Sequence, residues 1–117
     1  MIKYAKSHEW FNTENGEVGI TSNAIELLGD IVFLELPQVG QSVEKDGSIA
    51  VVESVKAASD IYSPVSGKIL DTNSDLENSP EKLNENHDTW LFKIEITDDN
   101  EVDKLLDEIS YKAGLDS

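Results

Sequence analysis

Lys56 has the setting in this chain that most invites chemistry. It is the single lysine between residues 46 and 67, and β-favouring arms flank it on both sides. Ile49, Val51, Val52, Glu53, Ser54 and Val55 lead in; Ala57, Ala58, Ser59, Asp60, Ile61 and Tyr62 lead out toward Pro64 and Gly67. Arms rich in β-branched and aromatic residues that end in a Pro-x-x-Gly turn read as a hairpin, with Lys56 at or near its tip. A free lysine amine, with a pKa of about 10.4, is almost wholly protonated and a poor nucleophile. Neither a second cation nor an apolar pocket is legible nearby to depress that value. Two readings follow: a solvated surface lysine, or an amine that another enzyme modifies and a covalently carried group then uses as its anchor.

Other chemistries find little support. His8 and His87 lie far apart and outside metal-ligand spacing, so no metal site is expected. No motif holds a base beside a nucleophile, and no glycine-rich phosphate loop is present. Among 24 acidic residues any two could pair, so paired carboxylates carry no information. With no cysteine, disulfides and thiolate metal sites are out of reach. No catalytic residues are therefore expected.

The 24 acidic residues face only nine basic ones, all lysines, for a net charge of −15. Such a surface is repelled by phosphate backbones and by anionic membranes, so neither nucleic acid nor a membrane is an expected partner. The acidity serves either solubility or steering toward basic partner surfaces. A length of 117 residues suits one domain, 1–117, and 38% hydrophobic residues suffice for a modest core. The start, MIKYAKSHEW, lacks the apolar core of a secretory signal and the Arg-rich character of a transit peptide. A cytoplasmic protein is expected, or one of the mitochondrial matrix if a transit peptide has been removed.

The elements that would position Lys56 are short. Glu9–Thr13 and Glu17–Thr21 flank Asn15-Gly16, which predicts a hairpin with a type I′ turn. Asn23 with Glu26 three residues on predicts a capped helix of one to two turns, ended by Gly29. Asp30–Leu36 is an apolar strand closed by Pro37. The unit Pro37-x-x-Gly40 recurs as Pro64-x-x-Gly67, a spacing of 27 that would suit a sandwich of two similar halves. Beyond the lysine hairpin (about 49–67) come a strand over 68–72 and a polar stretch where Ser79-Pro80-Glu81 could open a brief helix. Residues 90–96 then form a half-buried strand. Asp98 and Glu101 form a second capping box for a C-terminal helix over about 99–112, with Val102, Leu105, Leu106 and Ile109 on one face and Gly114 as a stop. Six or more short strands without βαβ alternation predict a mainly β domain, a sandwich or barrel-like fold with short peripheral helices.

The residues then reach a resemblance. The segment ESVKAASDIYSPVSG, from Glu53 to Gly67, resembles the lipoylation segment of the glycine cleavage system H protein family. KYAKSHEW (3–10), VGIT (18–21), LGDIVFLELPQVG (28–40), AVVESVKA (50–57) and WLFKIEI (90–96) follow in the family's order over nearly the whole chain. Biotinyl domains place methionines beside their lysine, where this chain has Val55 and Ala57. Lipoyl domains of 2-oxoacid dehydrogenases usually sit in long chains with Ala/Pro linkers, which are absent here.

The resemblance implies a lipoyl/biotinyl-type β-sandwich (a barrel-sandwich hybrid) and a carrier without its own catalytic site. It implies lipoate amide-linked to Lys56, with Glu53 and Ser54 read by the lipoate-attaching enzymes. The arm would accept an aminomethyl group from the pyridoxal-phosphate glycine decarboxylase (P protein) and present it to the folate-dependent aminomethyltransferase (T protein). The flavin-dependent dihydrolipoamide dehydrogenase (L protein) would then reoxidise it. Glu9 and Asp60 match acidic residues that in the family line a cleft sheltering the loaded arm, and His8 would position the HEW segment. Leu27 stands where some members have a histidine, and residues 84–90 are shorter than the family's usual loop. Lysine plus lipoyl reaches about 14 Å, and a monomer is expected. Two alternatives remain open: an H-like protein that relays lipoate to other enzymes, and an unmodified acidic β-domain that binds protein partners.

Overall fold

The computed structural model describes residues 1–115. Nine strands run in chain order: β1 (Ile2–Tyr4), β2 (Glu9–Asn12), β3 (Glu17–Ile20), β4 (Ile31–Glu35), β5 (Ser42–Val43), β6 (Ser48–Ser54), β7 (Ala58–Tyr62), β8 (Gly67–Thr72) and β9 (Phe92–Ile96). They form two sheets, one of six strands in the order β1-β2-β3-β9-β8-β5 and one of three, β4-β6-β7. All pairings are antiparallel. Apolar side chains from both sheets, among them Phe11, Leu34, Val52, Ile61, Phe92 and Ile94, are buried in one core cluster. The expected mainly β sandwich is the observed architecture.

The repeat of 27 residues is structural. β7 (Ala58–Tyr62) lies 27 residues beyond β4 (Ile31–Glu35), and both belong to the three-stranded sheet. After each, a Pro-x-x-Gly turn carries the chain into the other sheet, where β5 and β8 pair through Ser42↔Lys68 and Val43↔Gly67. The two glycines answer different demands. Gly40 takes φ +89°, which L side chains rarely adopt. Gly67 has an ordinary φ, but a Cβ there would collide with the Glu95 carbonyl on β9.

Several local expectations give way to longer-range bonds. The β2–β3 hairpin forms in the register Glu9↔Ile20, Trp10↔Gly19 and Phe11↔Val18. Its loop, however, is Thr13–Gly16, and only Gly16 has positive φ, so the turn is not type I′. Asn12 and Asn15 accept the Glu14 and Glu17 amides, which stabilises the wider loop. Helix α1 (Ser22–Leu28) is capped by Thr21, whose hydroxyl accepts from the Ala24 amide at 3.3 Å, rather than by Asn23; Gly29 closes it as expected. Residues 73–88 fold into two short helices, α2 (Ser74–Asn78) and α3 (Lys82–Glu85), each burying one leucine.

The single helix over about 99–112 is not what forms. A 3₁₀ turn, Asp99–Lys104, is separated from α4 (Glu108–Leu115), and Gly114 lies inside α4. Leu106 is drawn into a bridge with Tyr4 on β1, bonded both ways at 2.7 and 2.8 Å. Asp98 does cap, through the Asn100 amide. Glu101 does not complete a capping box, because its carboxylate accepts from the Ser66 amide (2.7 Å) and hydroxyl (2.9 Å). Ile109 consequently points to solvent, 82% exposed.

Candidate functional site

β6 and β7 pair through Ala50↔Ile61, Val51↔Asp60, Val52↔Ser59 and Glu53↔Ala58, and the chain reverses over Ser54-Val55-Lys56-Ala57. Lys56 therefore sits at the tip, as the symmetry of the flanking arms predicts. The tip is stiffened from within by Ser54. Its amide donates to the Ala57 carbonyl at 2.7 Å, and its hydroxyl accepts from the Lys56 and Ala57 amides at 3.3 and 3.1 Å. Glu53 is exposed on β6, opposite both Ala58 and Phe33. Of the two residues expected to be read before the lysine, Glu53 faces water and Ser54 faces inward to hold the turn.

The Lys56 side chain is exposed, and among the described residues its ammonium meets no carboxylate within ion-pair distance. Its stem passes Gly29 at the end of α1, with Cε within van der Waals distance of where a Cβ would stand. That ground is fixed by a residue the sequence did not single out. Asn84 on α3 donates from Nδ2 to the Gly29 carbonyl and accepts the Ile31 amide at Oδ1, both at 2.9 Å. Leu27 on α1, Val32 and Phe33 on β4, and Val55 in the tip leave apolar side chains exposed.

Asp60 is exposed on β7, and its carboxylate has no partner among the described residues. Glu9 is placed differently: it is only 2% exposed. The Ser7 hydroxyl donates to Oε1, and the Tyr62 amide, at the far end of β7, donates to Oε2 at 3.3 Å. Glu9 is thus buried where the base of the hairpin meets the six-stranded sheet, bonded to Ser7 and to the Tyr62 amide. At about 3.3 Å per residue, Asp60 lies roughly 7 Å and Tyr62 roughly 13 Å down the strand from Ala58. Burial pushes the Glu9 carboxyl up from its ordinary 4.5 to about 7, against the lowering pull of the bonds from Ser7 and Tyr62.

The turn that carries Glu9 is tightly specified. The His8 amide closes it onto the Ala5 carbonyl at 3.0 Å, and His8 takes φ +77°, unusual for a residue with a side chain. The His8 ring is bound at Nδ1 to the Tyr111 hydroxyl (2.7 Å), and that hydroxyl also bonds the Thr21 hydroxyl (2.8 Å). Tyr111 comes from α4, so no local pattern near His8 announces it. Among the described residues, no group of three His, Asp or Glu side chains is arranged to hold a metal ion, and no helix is long and apolar enough to cross a membrane.

This geometry provides an accessible amine on a rigid tip and two acidic groups at graded depths below it. Comparison with known proteins gives the arrangement a context. The family model described as glycine cleavage H-protein matches residues 2–117. A glycine cleavage system H protein of Pectobacterium atrosepticum is 52% identical over 120 residues, covering 98% of this chain and 92% of that protein. One from Sodalis glossinidius is 53% identical over the same length, with the same shares covered. The crystal structure of a glycine cleavage system H protein from Mycobacterium marinum superposes with a TM-score of 0.88 at 34% identity, covering 99% of this chain and 97% of that one.

Proposed function

The chain belongs to the glycine cleavage H-protein family, and from that premise we propose that Lys56 bears the lipoyl group with which it serves glycine cleavage. The observation that carries this reading is the tip itself: an exposed ammonium, unpaired among the described residues, on a turn that Ser54 holds from inside. An attaching enzyme needs an amine it can reach on a backbone that does not move. Glu53, exposed beside the tip, is the side chain available for it to read; Ser54 contributes by fixing the shape of the turn.

Lipoate would supply the dithiol that takes up and hands on the aminomethyl unit of glycine; the protein supplies position. Tethering to one point raises the dithiol's effective concentration at each partner's site. A reach of about 14 Å from Lys56 covers the four residues, at most roughly 13 Å, to Asp60; Tyr62 lies two residues further along β7. Asp60 is therefore within the arm's compass, and Glu9 is bonded to the Tyr62 amide beyond it. Asp60 would meet a carried ammonium in water; Glu9, which the family resemblance places in the same cleft, would meet it out of water. An ammonium beside the buried carboxyl would favour its ionised form and strengthen the pairing.

The partners of this reading are the glycine decarboxylase, the aminomethyltransferase, the dihydrolipoamide dehydrogenase and a lipoate-attaching enzyme. On this reading the protein is a carrier without a catalytic site of its own, and its likeness to bacterial proteins supports a cytoplasmic location. Intact-mass measurement of the protein from its native host tests the attachment. A lipoyl-sized increment is expected, lost in Lys56→Arg because guanidinium keeps the charge but is not acylated. An unmodified mass under lipoate-replete conditions would overturn it. Glycine-dependent CO₂ exchange with the decarboxylase, expected for the loaded protein, separates service to glycine cleavage from relay of lipoate to other enzymes.

A further inference from the structure

We propose that Tyr111, on the C-terminal helix, is a positioning residue for the Glu9 carboxylate, acting through His8 and Thr21. This rests on the reading that Glu9 receives the carried amine. The Tyr111 hydroxyl stands where three parts of the chain meet: the His8 turn at 2.7 Å, the N-cap of α1 at 2.8 Å, and its own α4. His8 and Thr21 are already joined, since the Thr21 amide donates to the His8 carbonyl at 2.9 Å. The phenol therefore closes a ring of bonds around the one residue of the turn that adopts a left-handed backbone. Without that tie, an ordinary φ at His8 would swing the adjoining Ser7 and Glu9.

The placement of the phenol is itself fixed. Its ring stacks on Tyr4 with centroids 4.8 Å apart and planes 11° from parallel, and the His8 ring meets it edge-on at 5.7 Å. Tyr4 is held in turn by its two-way backbone bridge with Leu106, just before α4. Glu9 is close enough for its charge to act on the Tyr111 hydroxyl, raising its pKa behind the larger effect of burial. α4 thereby has a task apart from covering the core. It holds the base of the hairpin in the form that presents Glu9 toward Tyr62.

Tyr111→Phe tests this, because it keeps the ring and its stack and removes only the hydroxyl. In the unloaded protein, amide exchange at His8 and Thr21 is expected to quicken about tenfold, the worth of one net hydrogen bond. The Glu9 side-chain carbonyl ¹³C resonance should shift or broaden, while amides of Val52 and Ser59 in the lysine hairpin stay unchanged. In the aminomethyl-loaded protein, release of the carried group by water, giving free thiol, formaldehyde and ammonium, should speed up severalfold. Tyr111→Leu, which also breaks the stack, should reproduce these changes and in addition lower the melting temperature. Unchanged Glu9 resonance and unchanged His8 exchange in Tyr111→Phe would overturn the inference. Glu9→Gln separates the two levels: if it leaves the release rate untouched, the sheltering role of Glu9 fails. The unloaded-protein measurements still decide whether Tyr111 positions that carboxylate.

Discussion

The tip of the β6–β7 hairpin leaves its charge in water, whereas the turn at the hairpin's base takes one out of it. Lys56 is exposed and unpaired among the described residues, and everything around it restrains backbone: Ser54 from inside, Asn84 beneath Gly29. Glu9 is buried, doubly bonded, and set on a turn that long-range bonds hold in an unusual conformation. On the proposed reading, the difference fits two separate tasks. An attachment point has to be reached by another protein, so its chemistry stays ordinary and only its location is specified. A receiving group has to favour one carried charge over water, so its own ionisation is made costly in advance.

Substitutions can press on this contrast from either end. The largest effect is expected at the tip, where Lys56→Arg abolishes loading altogether. Because the side chain supports no structure, unfolding free energy should change by less than about 0.5 kcal/mol. A clear loss of stability there would show that the tip is not purely a platform.

Next comes Glu9→Gln. With its folded pKa raised from 4.5 to about 7, the native state holds a proton that the unfolded chain has given up between those values. Wild-type stability should therefore fall as pH rises through this window and level off above it, by about 3 kcal/mol. In denaturant unfolding at pH 5 and pH 8, Glu9→Gln should remove that contribution, gaining on wild type by about this amount at the higher pH. A difference that does not vary with pH would place Glu9 among ordinary carboxylates and dissolve the contrast.

The smallest effect belongs to Ser54→Ala. The amides of Lys56 and Ala57 would lose their acceptor, but water can reach an exposed tip, so about 1 kcal/mol is expected. Exchange at those two amides should rise about fivefold, with Lys56 still loaded more slowly than in wild type.

How much of this the sequence makes legible follows the range of the interactions. The hairpin and Lys56 at its tip are readable because β-branched arms and a turn are local features. The Pro-x-x-Gly repeat is readable because each copy turns the chain between sheets in the same way. The C-terminal segment misleads because the helical spacing of Val102, Leu105, Leu106 and Ile109 competes with a backbone bridge to Tyr4, at the other end of the chain. The cap of α1 falls to Thr21 because that residue directly follows β3 and is bonded to His8 and Tyr111, neither of them its neighbour in sequence. Asn84 and Tyr111 carry no local signal at all. Their roles exist only once α3 lies under Gly29 and α4 lies against β1.

The strand order has a consequence for the history of each molecule. β6 meets β7 across one tight reversal, whereas β3 must find β9 from the opposite end of the chain, Val18 against Phe92. Contacts close in sequence cost little chain entropy, so the lysine hairpin is expected to form early and the ends to join late. Pulse-labelled exchange during refolding should protect Val52 and Ser59 before Val18 and Tyr111; simultaneous protection would speak against any order. If Lys56 is the attachment point, a newly made chain would then offer it before the shelter for the cargo is complete.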